Sequence, residues 1–133
     1  MNRQEFIPVS EKVDQLARTI IDSAFQVHRE LGPGLLESVY QSCLCYELSS
    51  RKIKFEQEIV LPIKYKKLLL ESGLRLDLLI EKSIIVELKS VEKILPIHEA
   101  QILTYLKITG CRLGLIINFN EVRIKSGIKR LVL

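Results

Sequence analysis

Aromatic residues are scarce in this chain. It has no tryptophan, four tyrosines and four phenylalanines in 133 residues, and most of these fall in apolar patterns. That leaves no platform of several rings on which successive bases could stack, and no segment reads as a base-reading recognition helix. Cysteine is scarce too: Cys43, Cys45 and Cys111. Their odd number and spacing exclude a disulfide framework. Cys43 and Cys45 diverge on a predicted helix and make a poor metal clamp. Three thiolates also cannot supply an ordinary iron–sulfur cluster. All three read as small buried hydrophobes.

No apolar run approaches the length of a membrane span, so no membrane partner is expected. The start Met1-Asn2-Arg3-Gln4-Glu5 is polar and lacks a signal-peptide core, so a cytoplasmic location is the expectation. There is no internal repeat, no low-complexity run and no Pro/Gly/Ser-rich linker. Residues 1–133 are therefore expected to form one domain, large enough for its own core, with residues 1–9 as a loose N-terminal segment.

What is present is a globular composition, 47% hydrophobic and 27% charged, with net charge +4. Basic residues cluster at Arg51–Lys54, Lys64–Lys67 and Lys125–Arg130. Such clusters are solvated faces unless a phosphate-binding site lies beside them.

Periodicity predicts a first helix from Ser10, a good N-cap, to Leu31, with Leu16, Ile20, Ala24, Val27 and Leu31 on one face. Gly32-Pro33-Gly34 ends it. A second helix is predicted from Leu35 to Arg51. Strands follow at Phe55–Tyr65, Lys67–Glu71, Leu74–Ile80 and Ile84–Lys89. A third helix opens on Pro96 and ends at Gly110. Arg112–Phe119 is a strongly apolar strand, and Val122–Lys125 and Ile128–Leu133 are expected edge strands. Ile84 to Phe119 reads as a strand–helix–strand crossover, which makes its two strands parallel. The fold class is α/β: a central mixed sheet flanked by helices, two of them N-terminal.

Charges inside two greasy strands stand out. Asp77 follows Arg75 in Leu74–Ile80, and Glu87 and Lys89 share a face of Ile84–Lys89. If Ile80 pairs with Ile84 across Glu81-Lys82-Ser83, Asp77 faces Glu87, with Cβ atoms roughly 4.5–5.5 Å apart. Two facing carboxylates repel. Either one takes a proton or a cation sits between them. Oxygen ligands favour Mg²⁺ or Mn²⁺, and Lys89 would reach an attacking water or a phosphate. The same hairpin also reads as a salt-bridged strand pair, Asp77 or Glu87 with Lys89 or Arg75.

Gln101 and Tyr105 share a face of the third helix, and Glu37 and Tyr40 share a face of the second. Each pair alone also reads as ordinary packing. Gly34 would let the second helix approach the sheet. His98 could touch a phosphate or make a local first-turn hydrogen bond. His28 sits at a helix C-terminus, where an imidazole suits the dipole.

Together these residues resemble the PD-(D/E)xK nuclease superfamily, its RecB-like branch and most closely the small GxxExxY proteins. Gly34 to Tyr40 matches the GxxExxY motif, and Gly73 to Asp77 matches the strand of the metal-binding aspartate. Glu87-Leu88-Lys89 matches ExK, and Gln101 to Tyr105 matches QxxxY. The similarity spans about residues 15–133, with Leu76 where the superfamily often has proline. It implies the restriction-endonuclease-like fold and a metal-dependent nuclease acting on DNA or RNA without strong sequence specificity. By position it implies Asp77, Glu87 and the Leu88 backbone carbonyl as ligands of Mg²⁺ or Mn²⁺, with Glu37 bound directly or through water. Lys89 would be the catalytic lysine. Gln101 and Tyr105, with Tyr40 and His98 as further candidates, would position the lysine or the substrate. The competing expectation is a catalytically silent nucleic-acid-binding or accessory protein of the same fold. A homodimer would cover a duplex better than so small a monomer.

Overall fold

The computed structural model of the protein describes residues 7–133. Helices α1 (Glu11–Leu31) and α2 (Glu37–Ser50) precede strands β1 (Phe55–Tyr65), β2 (Leu68–Ile80) and β3 (Ile84–Lys89). Helix α3 (Pro96–Thr109), β4 (Leu113–Asn118) and β5 (Ile128–Val132) follow. The strands form one mixed sheet in sequence order. The pair β3–β4 is parallel and the other neighbours are antiparallel. Helix α3 supplies the crossover that a parallel pair needs.

The helices obey their local signals. The Ser10 hydroxyl accepts the Val13 N–H at 3.2 Å and starts α1. Ala17, Ile20, Ala24 and Val27 recur at helical spacing and are buried. Pro96 opens α3, and left-handed Gly110 closes it.

Two apolar clusters lie on opposite faces of the sheet. Helices α1 and α2 pack on Ile84, Val86 and Leu88 of β3 and on Leu113, Leu115 and Ile117 of β4. Helix α3 packs Ile102 and Leu106 on Ile85 and Ile116. Strands β3 and β4 thus alternate regularly. The β1–β2 ribbon does not. Phe55, Leu78 and Ile80 belong to the α1/α2 side, whereas Ile59, Leu61, Leu74 and Leu76 belong to the α3 side. The ribbon turns over between them. In β1 the turning point is Glu58, whose φ of 52° is left-handed. In β2 it is Asp77.

Three expectations need correction. The strands expected at Lys67–Glu71 and Leu74–Ile80 are one continuous strand, β2. Gly73 is there for close approach, because a Cβ on it would lie 2.6 Å from the Ile63 side chain. The expected edge strand Val122–Lys125 is instead a bend leading into a 3-10 turn, Ile124–Gly127. Ile124 turns inward onto the α1/α2 cluster while Val122 stays exposed. Nor does Gly34 bring α2 closer to the sheet: a Cβ there would meet nothing within 4 Å, and its φ of 97° is what calls for glycine.

Of the segment expected to be loose, residues 1–6 lie outside the described residues. Residues 7–9 are tied down: the Arg112 guanidinium donates to the carbonyls of Ile7 and Pro8, and Val9 packs on the α1/α2 cluster. Among the described residues no helix is long and apolar enough to cross a membrane.

Candidate active site

The site forms where the hairpin stops being a regular ladder. Ile80 pairs with Ile84, Leu79 with Ile85 and Leu78 with Val86, as the sequence predicts. One step further, side chains replace backbone partners. The Asp77 carboxylate accepts the Leu88 N–H at 2.9 Å, and the Asp77 N–H donates to the Glu87 carboxylate at 3.2 Å. Each acid satisfies a donor of the opposite strand, so the two carboxyls are interlocked with the backbone and with each other.

A cleft of about 440 Å³ opens at this break. Helix α2 contributes Glu37, Ser38 and Gln41, and helix α3 contributes Gln101 and Tyr105. The strands contribute Glu58, Arg75, Asp77, Glu87 and Lys89. The separately predicted Glu37, the Asp77–Glu87–Lys89 set and the Gln101/Tyr105 pair therefore line one cleft.

Two predicted residues stand elsewhere. Tyr40 is fully buried. Its hydroxyl donates to the Gly32 carbonyl at 2.6 Å and accepts the Leu35 N–H at 3.0 Å. Its ring stacks on Phe119, centroids 4.5 Å apart. Tyr40 thus fastens the turn that leads into α2. Ser90, just after β3, donates to the Leu35 carbonyl at 2.7 Å and ties that turn to the strand of Glu87. These bonds set where Glu37 stands. His98 caps α3, its Nδ1 accepting the Leu95 N–H at 3.0 Å. His28 bonds the Glu121 carbonyl at 2.7 Å.

The salt-bridged alternative is not what forms. Among the described residues neither Asp77 nor Glu87 pairs with Lys89 or Arg75. Arg75 pairs with Glu58. Glu58, Gln41 and Ser38 are the cleft residues that the sequence analysis does not single out. No pattern points to Glu58, because it is the last of three consecutive polar residues, Glu56-Gln57-Glu58, in β1. Only the register, Gln57 to Leu78 and Ile59 to Leu76, reveals that it stands opposite Asp77. Carried one residue further, the β1–β2 and β2–β3 registers place Glu58, Asp77 and Glu87 in one transverse row.

Burial pushes the Glu87 carboxyl up to about 9, and the hydrogen bond and charge of Asp77 add to the shift, with Lys89 opposing it. Glu37 is raised by partial burial, then by the Asp77 charge, again opposed by Lys89. Tyr105 is raised by burial and by the charges of Glu87 and Asp77. These groups therefore share one field. Among the described residues no three His, Cys, Asp or Glu side chains are set close enough to hold a metal as they stand. The donor chemistry nevertheless suits a hard cation. It is all carboxylate, and a buried acid beside a second acid is what a divalent ion would relieve.

A family model described as the PD-(D/E)XK nuclease superfamily matches residues 14–131. The chain belongs to that superfamily. The mixed sheet with its two N-terminal helices is consistent with the PD-(D/E)XK nuclease fold. Searches of curated proteins and of solved structures returned no match. Superfamily membership accounts for a nuclease-like domain, and such nucleases generally work with divalent ions on nucleic acid.

Proposed function

We propose that the protein is a Mg²⁺- or Mn²⁺-dependent nuclease that hydrolyses phosphodiester bonds in DNA or RNA without strong sequence specificity. The observation that carries this reading is the interlocked Asp77–Glu87 pair at the foot of a cleft that also holds Glu37 and Lys89. Asp77 and Glu87 would hold the ion with the Leu88 carbonyl, and Glu37 would join directly or through water. When bound, the ion supplies Lewis acidity that offsets the charge growing on the phosphate. Lys89 is half-buried on the wall of the same cleft. There it orients the attacking water and stabilises the extra negative charge of the transition state. Gln101 and Tyr105 hold Lys89 or the strand in place. The spacing of Gly34, Glu37 and Tyr40 supports placing the chain with the GxxExxY proteins.

The test is cleavage of labelled single- and double-stranded DNA and RNA by the purified protein with Mn²⁺. Loss of cleavage in Asp77→Ala, Glu87→Ala and Lys89→Ala is expected. Equal cleavage in all four preparations would expose a contaminant. Salt-dependent binding with no cleavage under any divalent ion would instead mark a silent nucleic-acid-binding protein.

A further inference from the structure

Arg75, with Glu58, is a charged cleft residue that has no part in that scheme. It stands two residues before Asp77 on β2, which is about 7 Å along a strand. Its side chain is 69% exposed, and its guanidinium is held by the Glu58 carboxylate. Glu58 also accepts from the Gln41 amide at 3.0 Å. These donors keep its carboxyl below the usual range, the Gln41 bond first.

The energetics of this contact are uneven. A non-glycine residue held in the left-handed region is strained. An exposed ion pair contributes little stability in return. The Glu58–Arg75 pair therefore does not repay the backbone of Glu58 as a source of stability. What it does is hold Arg75 at the cleft wall, one guanidinium nitrogen on one carboxylate oxygen, while the other oxygen takes the Gln41 amide. A backbone phosphodiester presents two non-bridging oxygens that share its negative charge, and guanidinium binds such a pair bidentately, one bond more than Glu58 gives it. Replacing so weak a partner costs little.

We propose that Arg75 binds a backbone phosphate of the nucleic-acid strand next to the one at Asp77 and Glu87, and that Glu58 occupies its guanidinium until that phosphate arrives. The proposal rests on the nuclease reading for the identity of the ligand. It assigns to this chain a phosphate-positioning residue and an internal competitor for it.

The experiment is fluorescence anisotropy of a labelled oligonucleotide in EDTA, where binding is read without cleavage. Arg75→Ala is expected to weaken binding roughly tenfold and to lower the salt slope by about one phosphate. Arg75→Lys should recover part of the loss. Glu58→Gln should tighten binding several-fold, and that gain should vanish in the Glu58→Gln/Arg75→Ala double variant. Thermal melts confirm that each variant is folded. Unchanged binding in Arg75→Ala overturns the proposal. So does a Glu58→Gln gain that persists without Arg75, since Glu58 would then act by general repulsion. Failure of the nuclease reading shows separately, as binding that depends on Arg75 with no Mn²⁺-dependent cleavage.

Discussion

Glu58 and Glu87 flank Asp77 in the same row of the sheet, yet their surroundings drive them apart. Glu87 is 7% exposed. Its neighbours are apolar strands and a second carboxylate, and its acid is pushed up to about 9. Glu58 is open to water and held by Gln41 and Arg75, and its acid is lowered. The surroundings make the difference: of two identical side chains beside one aspartate, burial raises the acid of Glu87 and the Gln41 hydrogen bond lowers that of Glu58. A cation placed at the row would relieve Glu87 and would find Glu58 already partnered. This asymmetry is why Glu87 is assigned to the ion and Glu58 to Arg75.

The sharpest way to break that comparison is to neutralise each acid in turn. Glu87→Gln should reduce Mn²⁺-dependent cleavage by at least about a hundredfold, more than an outer-shell change costs. Glu58→Gln should leave cleavage within a few-fold while tightening strand binding. Equal losses in the two variants would erase the distinction.

Stability against pH separates them again. Because the pKa of Glu87 in the folded protein lies above the ordinary value of 4.5, its favourable contribution is complete below about pH 4.5. It is lost as pH rises toward about 9. The metal-free protein should therefore melt at falling temperature across that window. Glu87→Gln should flatten the decline and melt higher than wild type near pH 9. A melting temperature that rises across the window would contradict the burial argument.

Smaller effects are expected where the sequence suggested substrate contacts and the structure has bonds within the fold. Tyr40→Phe strands the Leu35 N–H and the Gly32 carbonyl. It should cost about 1–2 kcal/mol of stability and lower cleavage a few-fold by shifting Glu37. A Tyr40 that touched substrate would lose activity with its melting point unmoved. His98→Ala should cost about 1 kcal/mol as a lost cap, and nucleic-acid affinity should not change. Urea melts paired with anisotropy check both.

Much of this was legible beforehand, for stated reasons. Proline, serine and glycine punctuate the helices, so α1 and α3 begin and end close to where they are read. The hairpin loop fixes the register that brings Asp77 opposite Glu87. Glu58 was not legible, because its place depends on a left-handed residue that turns the ribbon over, and periodicity carries no trace of that reversal. The two strands expected on either side of Ser72-Gly73 are one because a glycine inside a strand can serve close approach, here to Ile63, without ending it. Tyr40 shared a helix face with Glu37, but face-sharing does not say that one side chain points into the core.

The most direct test is calorimetric titration of Mn²⁺ into the protein near neutral pH, in buffers of different ionisation heat. The account predicts saturable binding with release of the proton held by Glu87. It also predicts that Asp77→Ala and Glu87→Gln remove the binding, while Glu58→Gln keeps it. No Mn²⁺ binding by the wild type, or binding that survives loss of both Asp77 and Glu87, would contradict it.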